Sequence, residues 1–153
     1  MKNLAYPLLL VLVLAVSCTK VKEPDFRRIG NFKMKQLGFQ EATVGFSVTY
    51  FNPNNFGVAV KETAADIYMD TVFLGRFVQD SSINVGRNAE FSIPLTGSVP
   101  LKKILNLNLQ NIDSREIVVR ADGDTRVGKA GIFVTKKIRY EGRHKLSDIN
   151  LKP

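Results

Sequence analysis

Residues 123–130, "GDTRVGKA", have the glycine-to-lysine spacing of a phosphate-binding loop as far as Lys129. In such a loop the backbone amides cradle phosphate, the lysine neutralises it, and a following serine or threonine hydroxyl holds magnesium. Here the next residue is Ala130, and the stretch beyond it, "GIFVTKKIRY", alternates like a strand. A helix N-terminus facing the phosphates is therefore missing, and the segment reads as a glycine turn between strands. His144 is the only histidine and sits in polar "EGRHK" with no nucleophile elbow nearby, so it reads as an exposed turn residue. Asp66, Asp70 and Asp80 fall in different strand phases, and Asp122 with Asp124 makes a motif too short for a calcium loop; all read as turn formers. One histidine and one cysteine cannot assemble a zinc site. The residues thus imply no catalytic group, no metal and no cofactor, and the expectation is a non-enzymatic protein.

The single cysteine, Cys18, has a different chemistry in prospect. It follows Lys2, an apolar run over residues 4–16 and the small residue Ser17. The run is too short to span a membrane and has the form of a secretory leader. "LAVSC" resembles the lipobox of bacterial lipoproteins, which implies cleavage before Cys18, acylation of its thiol and a membrane anchor. An unpaired thiol in an exported chain otherwise lacks an explanation. The expected organisation is a signal peptide over residues 1–17, a tether over 18–28 and one domain over 29–153. Thr19 is not the aspartate that retains enteric lipoproteins in the inner membrane, which favours the outer membrane, with the domain facing the periplasm.

The formal charge is +8. Residues 29–100 hold five basic and six acidic groups, whereas 101–153 hold twelve and six, so the excess lies in the C-terminal third. A basic balance suits polyanions, but an exported protein does not meet nucleic acid. The partners that remain are anionic lipid headgroups, another envelope polyanion, or an unidentified protein; the alternative is a solvated basic surface. Lys137, Arg139, Arg143 and Lys145 form a candidate patch, on the expectation that a hairpin turn at Glu141 and Gly142 brings Arg143 or Lys145 beside the first two.

Period-two alternation dominates the elements that would position these groups. Val44, Phe46, Val48 and Tyr50 share one strand face; Phe91, Ile93, Leu95 and Val99 another; Ile117, Val119 and Ala121 a third. Ile132, Val134, Ile138 and Tyr140 share a fourth. Pro94 predicts an edge strand or a bulge. Apolar parity switches between Val60 and Ala65, which predicts a kink near residues 61–63, and Asp70 with Thr71 predicts a turn. Leu101, Ile104 and Leu105 after Pro100 predict one short helix. Together these give an all-β class, an antiparallel β-sandwich with a short helix.

"FNPNNFG", between two strands, reads as a corner built by Asn52, Pro53 and Asn54: proline presets one turn position and asparagine side chains bond nearby amides. No serine or threonine stands two places after any of these asparagines, so none is a glycosylation acceptor. This strand ending in Asn-Pro-Asn, followed by "FGVAVKETAADIYMDTVFLGR" and later by "ADGDTRVGKAGIFVTKKIRYEGRHKL", resembles the late-embryogenesis-abundant group 2 family, also called the water-stress and hypersensitive-response domain. The resemblance covers roughly residues 30–150. It implies an immunoglobulin-like or fibronectin-III-like sandwich without enzymatic activity, associated with desiccation stress in plants and envelope lipoproteins in bacteria. It also implies that Asn52, Pro53 and Asn54 are a structural signature.

Two functions follow. One is an envelope-anchored stress-protective domain that contacts proteins or polyanions through its surface. The other is a lipid-binding or lipid-transfer module with an apolar groove between its sheets. Groove residues and core residues look alike in sequence, which leaves both open.

Overall fold

A computed structural model of the chain describes residues 21–107 and 114–145. Its strands are β1 (Asp25–Leu37), β2 (Glu41–Asn52), β3 (Val58–Met69), β4 (Val72–Gln79), β5 (Ile83–Val85), β6 (Ala89–Pro100), β7 (Glu116–Lys129) and β8 (Ile132–Lys145). Helix α1 (Leu101–Leu105) follows β6. All pairings are antiparallel, in the order β1-β2-β6-β4-β3-β7-β8, with β5 beside β3.

The all-β, antiparallel expectation holds, and the strands form one hydrogen-bonded sheet curled into a half-barrel. Its two flanks meet along a thin seam, where β4 and β6 pair only through Phe77 with Gly97, Val78 with Thr96 and Gln79 with Leu95. The alternating faces of β2, β3, β6 and β7 all point into the concave side. Burial there of Val60, Ala65, Ile67, Phe77, Ile93, Leu95 and Val99 forms the core, with each large apolar side chain contributing roughly 1.5–3 kcal/mol. Pro94 lies on a central strand, contrary to the edge expectation. Its carbonyl accepts from the Asp80 amide just past the end of β4. Because N–H and C=O of one strand residue point the same way, its missing donor faces the side where β4 leaves the sheet.

The parity switch in β3 is a bulge. Glu62 has φ 55 and the register with β7 shifts between Lys61 and Ala64. The shift leaves Thr63 buried, with its amide donating to Gln79 Oε1 (3.1 Å) and its hydroxyl bonded to that of Thr125 (2.8 Å). The β3–β4 turn forms at Asp70 and Thr71 as expected, with Asp70 at φ 54. The Asp70 carboxylate also accepts from Arg115 (2.6 Å) and from the Val118 amide (3.0 Å), stitching that turn to β7. Ala130 (φ 51) and Gly131 (φ 84) make the two-residue β7–β8 turn, in which both central residues need left-handed backbone.

Helix α1 stands where expected, with Ile104 packed on the core. Strand β1 was not among the expected elements, and it begins inside the stretch read as a tether. The turn expected at Glu141 and Gly142 does not form, and β8 runs straight through both. Among the described residues no helix is long and apolar enough to cross a membrane.

Candidate functional site

The concave face is not filled. A cavity of about 280 Å³ lies along it, walled by apolar side chains from β1, β2, β3, β4, β6, β7 and β8, with Ile104 of α1 at one end. Phe46, Val48, Ala65, Ile93, Leu95 and Ala121 illustrate the wall. Close-packed interiors rarely hold a void much larger than a water molecule. This one approaches the lower end of ligand pockets, at roughly 300 Å³.

The outermost strands, β1 and β8, do not pair, so the half-barrel is open along one side. An aromatic arc crosses the opening. Phe91 stacks on Tyr50 (5.8 Å between centroids), Tyr50 meets the ring of Phe26 edge-on (5.9 Å), and Phe26 reaches Tyr140 on β8 (5.2 Å). Each such pair adds about 0.5–1.5 kcal/mol beyond area burial.

The arc ends in a polar pair. Tyr140 Oη lies 2.6 Å from His144 Nε2, and both residues line the cavity. They stand four apart on β8, and Gly142 between them is the reason they meet: a Cβ there would collide with the Tyr140 hydroxyl. Burial raises the Tyr140 pKa above its ordinary value, and burial together with the nearby Tyr140 raises that of Tyr50, so both hydroxyls are protonated at neutral pH. The site therefore offers an apolar bed and, at its open side, hydrogen-bonding groups without formal charge on the tyrosines. His144, expected as an exposed turn residue, is half-buried in a strand instead. Its i, i+4 relation to Tyr140 was present in the sequence, but only a continuous β8 gives it meaning.

Asn52, Pro53 and Asn54 form the corner between β2 and β3. Asn52 is buried; its Nδ2 donates to the carbonyls of Phe56 (2.9 Å) and Gly86 (2.8 Å), and its Oδ1 accepts from the backbone (3.1 Å) and side-chain (2.9 Å) nitrogens of Asn54. Asn54 in turn holds the chain just before β1: its Oδ1 accepts from the Lys22 amide (2.9 Å) and its Nδ2 donates to the Lys22 carbonyl (2.8 Å). Every polar atom of both side chains has a partner within the protein. That is the arrangement of a structural element, and the corner lines no cavity described above.

Lys137, Arg139, Arg143 and Lys145 share the outer face of β8, but by unbroken alternation along one strand rather than by a turn. Opposite them on β7 stand acidic groups. Lys137 bonds Asp124 (2.9 Å), Arg143 approaches Glu116 (3.8 Å), Arg139 is in register with Asp122, and Glu141 with Arg120. The candidate patch is thus half of a cross-strand ladder of mixed sign. Residues 123–129 lie in β7 and Ala130 in its turn, so the phosphate-loop spacing belongs to a hairpin. Among the described residues no three metal-ligating side chains gather. Cys18 lies outside the described residues.

No known protein-family profile matches the chain, and no curated protein matches it either. Among solved structures it is similar to a crystal structure of a protein from Archaeoglobus fulgidus, with TM-score 0.50, 8% identity and coverage of 79% of this chain and 97% of that one. It is also similar to the solution structure of AT1g01470 from Arabidopsis thaliana, with TM-score 0.53, 14% identity and coverage of 87% and 88%. At these identities the likeness is one of fold.

Proposed function

We propose that this protein is a lipid-anchored, non-enzymatic envelope module that holds an apolar ligand of the acyl-chain type on the concave face of its sheet. The observation that carries this reading is the 280 Å³ cavity walled by hydrocarbon. Left to water, such an apolar wall forfeits the dispersion contacts and the burial that a hydrocarbon occupant would supply. An acyl chain restores the missing contacts. The opening between β1 and β8 gives it a way in, and Tyr140 with His144 offers its polar end a partner.

The late-embryogenesis-abundant group 2 resemblance of the sequence, with the fold-level likeness to the archaeal and plant structures, supports the proposal that the chain is of that family. The immunoglobulin-like sandwich belongs to the same proposal, with the two flanks of the seam standing for its two sheets. Anchorage through Cys18, by preference in the outer membrane, supplies a source of acyl chains.

Organic extraction of the purified full-length protein, read by mass spectrometry, tests the ligand; the covalent anchor stays with the chain. Long-chain amphiphile should be recovered from the wild type. Ala121→Phe, which fills the cavity, should lower the recovery several-fold, whereas Val78→Phe on the exposed outer face should not. No recovered lipid, or equal recovery from Ala121→Phe, refutes the reading.

A stress-protective interaction domain is the second reading, favoured by the exposed side chains of Met34, Leu37, Phe39 and Leu105 near the β1–β2 turn and α1. An apolar surface of that kind suits a protein client.

A further inference from the structure

The tip of the β7–β8 hairpin carries apolar side chains on both faces, and one of the two faces is exposed. Ile132 is 77% and Val134 53% exposed, and Phe133 points the other way, beneath the Lys61 ammonium at 3.7 Å from its ring centre. No acidic residue occurs between Asp124 and Glu141, a stretch that carries Lys129, Lys136, Lys137 and Arg139. Lys137 is tied to Asp124, but no acidic group stands in register with Lys129 or Lys136 on the hairpin.

The place of this tip in the fold gives it a partner. Lys129 lies over the ring of Phe56 at 5.4 Å, so the tip adjoins the β2–β3 corner. That corner grips the backbone of Lys22 through the two hydrogen bonds of Asn54. Cys18 is four residues before Lys22, a reach of at most about 14 Å. An acylated Cys18 therefore brings the membrane to this end of the sheet, whereas Phe39 and α1 lie at the opposite ends of the strands.

We propose that the β7–β8 tip inserts Ile132 and Val134 into the interface of a bilayer containing anionic phospholipid, with Lys129 and Lys136 at the headgroups. Apolar side chains flanked by cations bind such surfaces by burial and charge together. The corner and the tip then fix the domain upright, as two contacts beside one covalent anchor. This rests on the lipid-anchor part of the function proposed above and not on the cavity.

The chain contains no tryptophan, so single Ile132→Trp and Phe39→Trp variants of the full-length protein report on the two ends. Mass spectrometry first establishes acylation of each, and both are then placed in vesicles of zwitterionic and anionic phospholipid with brominated acyl chains. For acylated protein, the expected result is a blue-shifted, quenched Ile132→Trp emission, stronger with anionic lipid, and a Phe39→Trp emission like that in water. Unquenched Ile132→Trp, or equal quenching at Phe39→Trp, overturns the orientation while leaving the anchor intact. If the protein is not acylated, the anchor reading fails by itself, and the tip is judged on vesicles alone: quenching of Ile132→Trp that needs anionic lipid sustains it, and none overturns it. A dimer that Val134→Glu converts to a monomer would assign the tip to a second copy and likewise overturn it.

Discussion

Phe26 and Tyr140 sit on strands that share no backbone hydrogen bond, yet their rings lie 5.2 Å apart and bring the two outer strands of the sheet together. Closure on that side is a ring contact rather than a ladder. Phe26→Ala should lower stability by about 1 kcal/mol beyond its lost burial and speed loss of the proposed acyl-chain ligand. Denaturant midpoints and the rate of lipid exchange from the protein check both effects.

Gly142 permits the Tyr140–His144 bond. Gly142→Val should break that pair without unfolding β8, since valine is a good strand residue. A shift in the His144 ring resonances with retained circular dichroism is the expected outcome, together with weaker retention of the proposed acyl-chain ligand.

The Asn52–Asn54 network predicts unequal losses. Asn54→Ala leaves Asn52 with its own two carbonyl partners and should cost about 1 kcal/mol. Asn52→Ala strips partners from Phe56, Gly86 and Asn54 at once and should cost more, about 2–3 kcal/mol. Thermal unfolding ranks the two. Hydrogen exchange at the Lys22 amide should accelerate in Asn54→Ala, because its acceptor is that side chain.

Alkaline pH should weaken the fold. Tyr50 and Tyr140 have pKa values raised above the ordinary 10.0 by burial, so the folded state keeps their protons where the unfolded chain would release them. Their contribution is fully present below pH 10.0 and is lost as pH rises through the raised values. Tyr140→Phe should flatten the fall in unfolding midpoint above pH 10.0, while at neutral pH it costs only the roughly 1 kcal/mol of the lost bond to His144.

Lys137→Glu with Arg139→Glu places like charges against Asp124 and Asp122. The hairpin should lose up to about 1 kcal/mol, less at high salt. Amide exchange along β7 and β8 at two ionic strengths reads the change.

The sequence carried much of this architecture openly. Strand faces of β2, β6 and β7, the bulge at Glu62, the turn at Asp70 and helix α1 all followed from period and turn chemistry. Strand β1 was hidden by its own irregularity. Its register with β2 shifts at three places, and Asn31 has φ 56. Phe26, Ile29 and Phe32 therefore recur every three residues, although all line the same cavity. Gly142 misled for a similar reason: a glycine after a glutamate reads as a turn, but here it makes room beneath a tyrosine and a histidine. The cavity itself had no signature. Val48 against it and Val60 in the packed core are the same residue type in the same alternation, and only the curl of the sheet separates their fates.

One consequence of the mixed ladder concerns other copies of the chain. Strand β8 is fourteen residues long and, among the described residues, is an outermost strand of the sheet, so its outward row of amides and carbonyls is a template for a further strand. Lys136, Lys137, Arg139, Arg143 and Lys145 ride on that boundary. Two such strands laid antiparallel would set cation against cation, which opposes pairing. The acids of β7 engage Lys137, Arg139 and Arg143 within one molecule. The basic excess of the C-terminal third thus opposes, by like charge, the joining of two such borders.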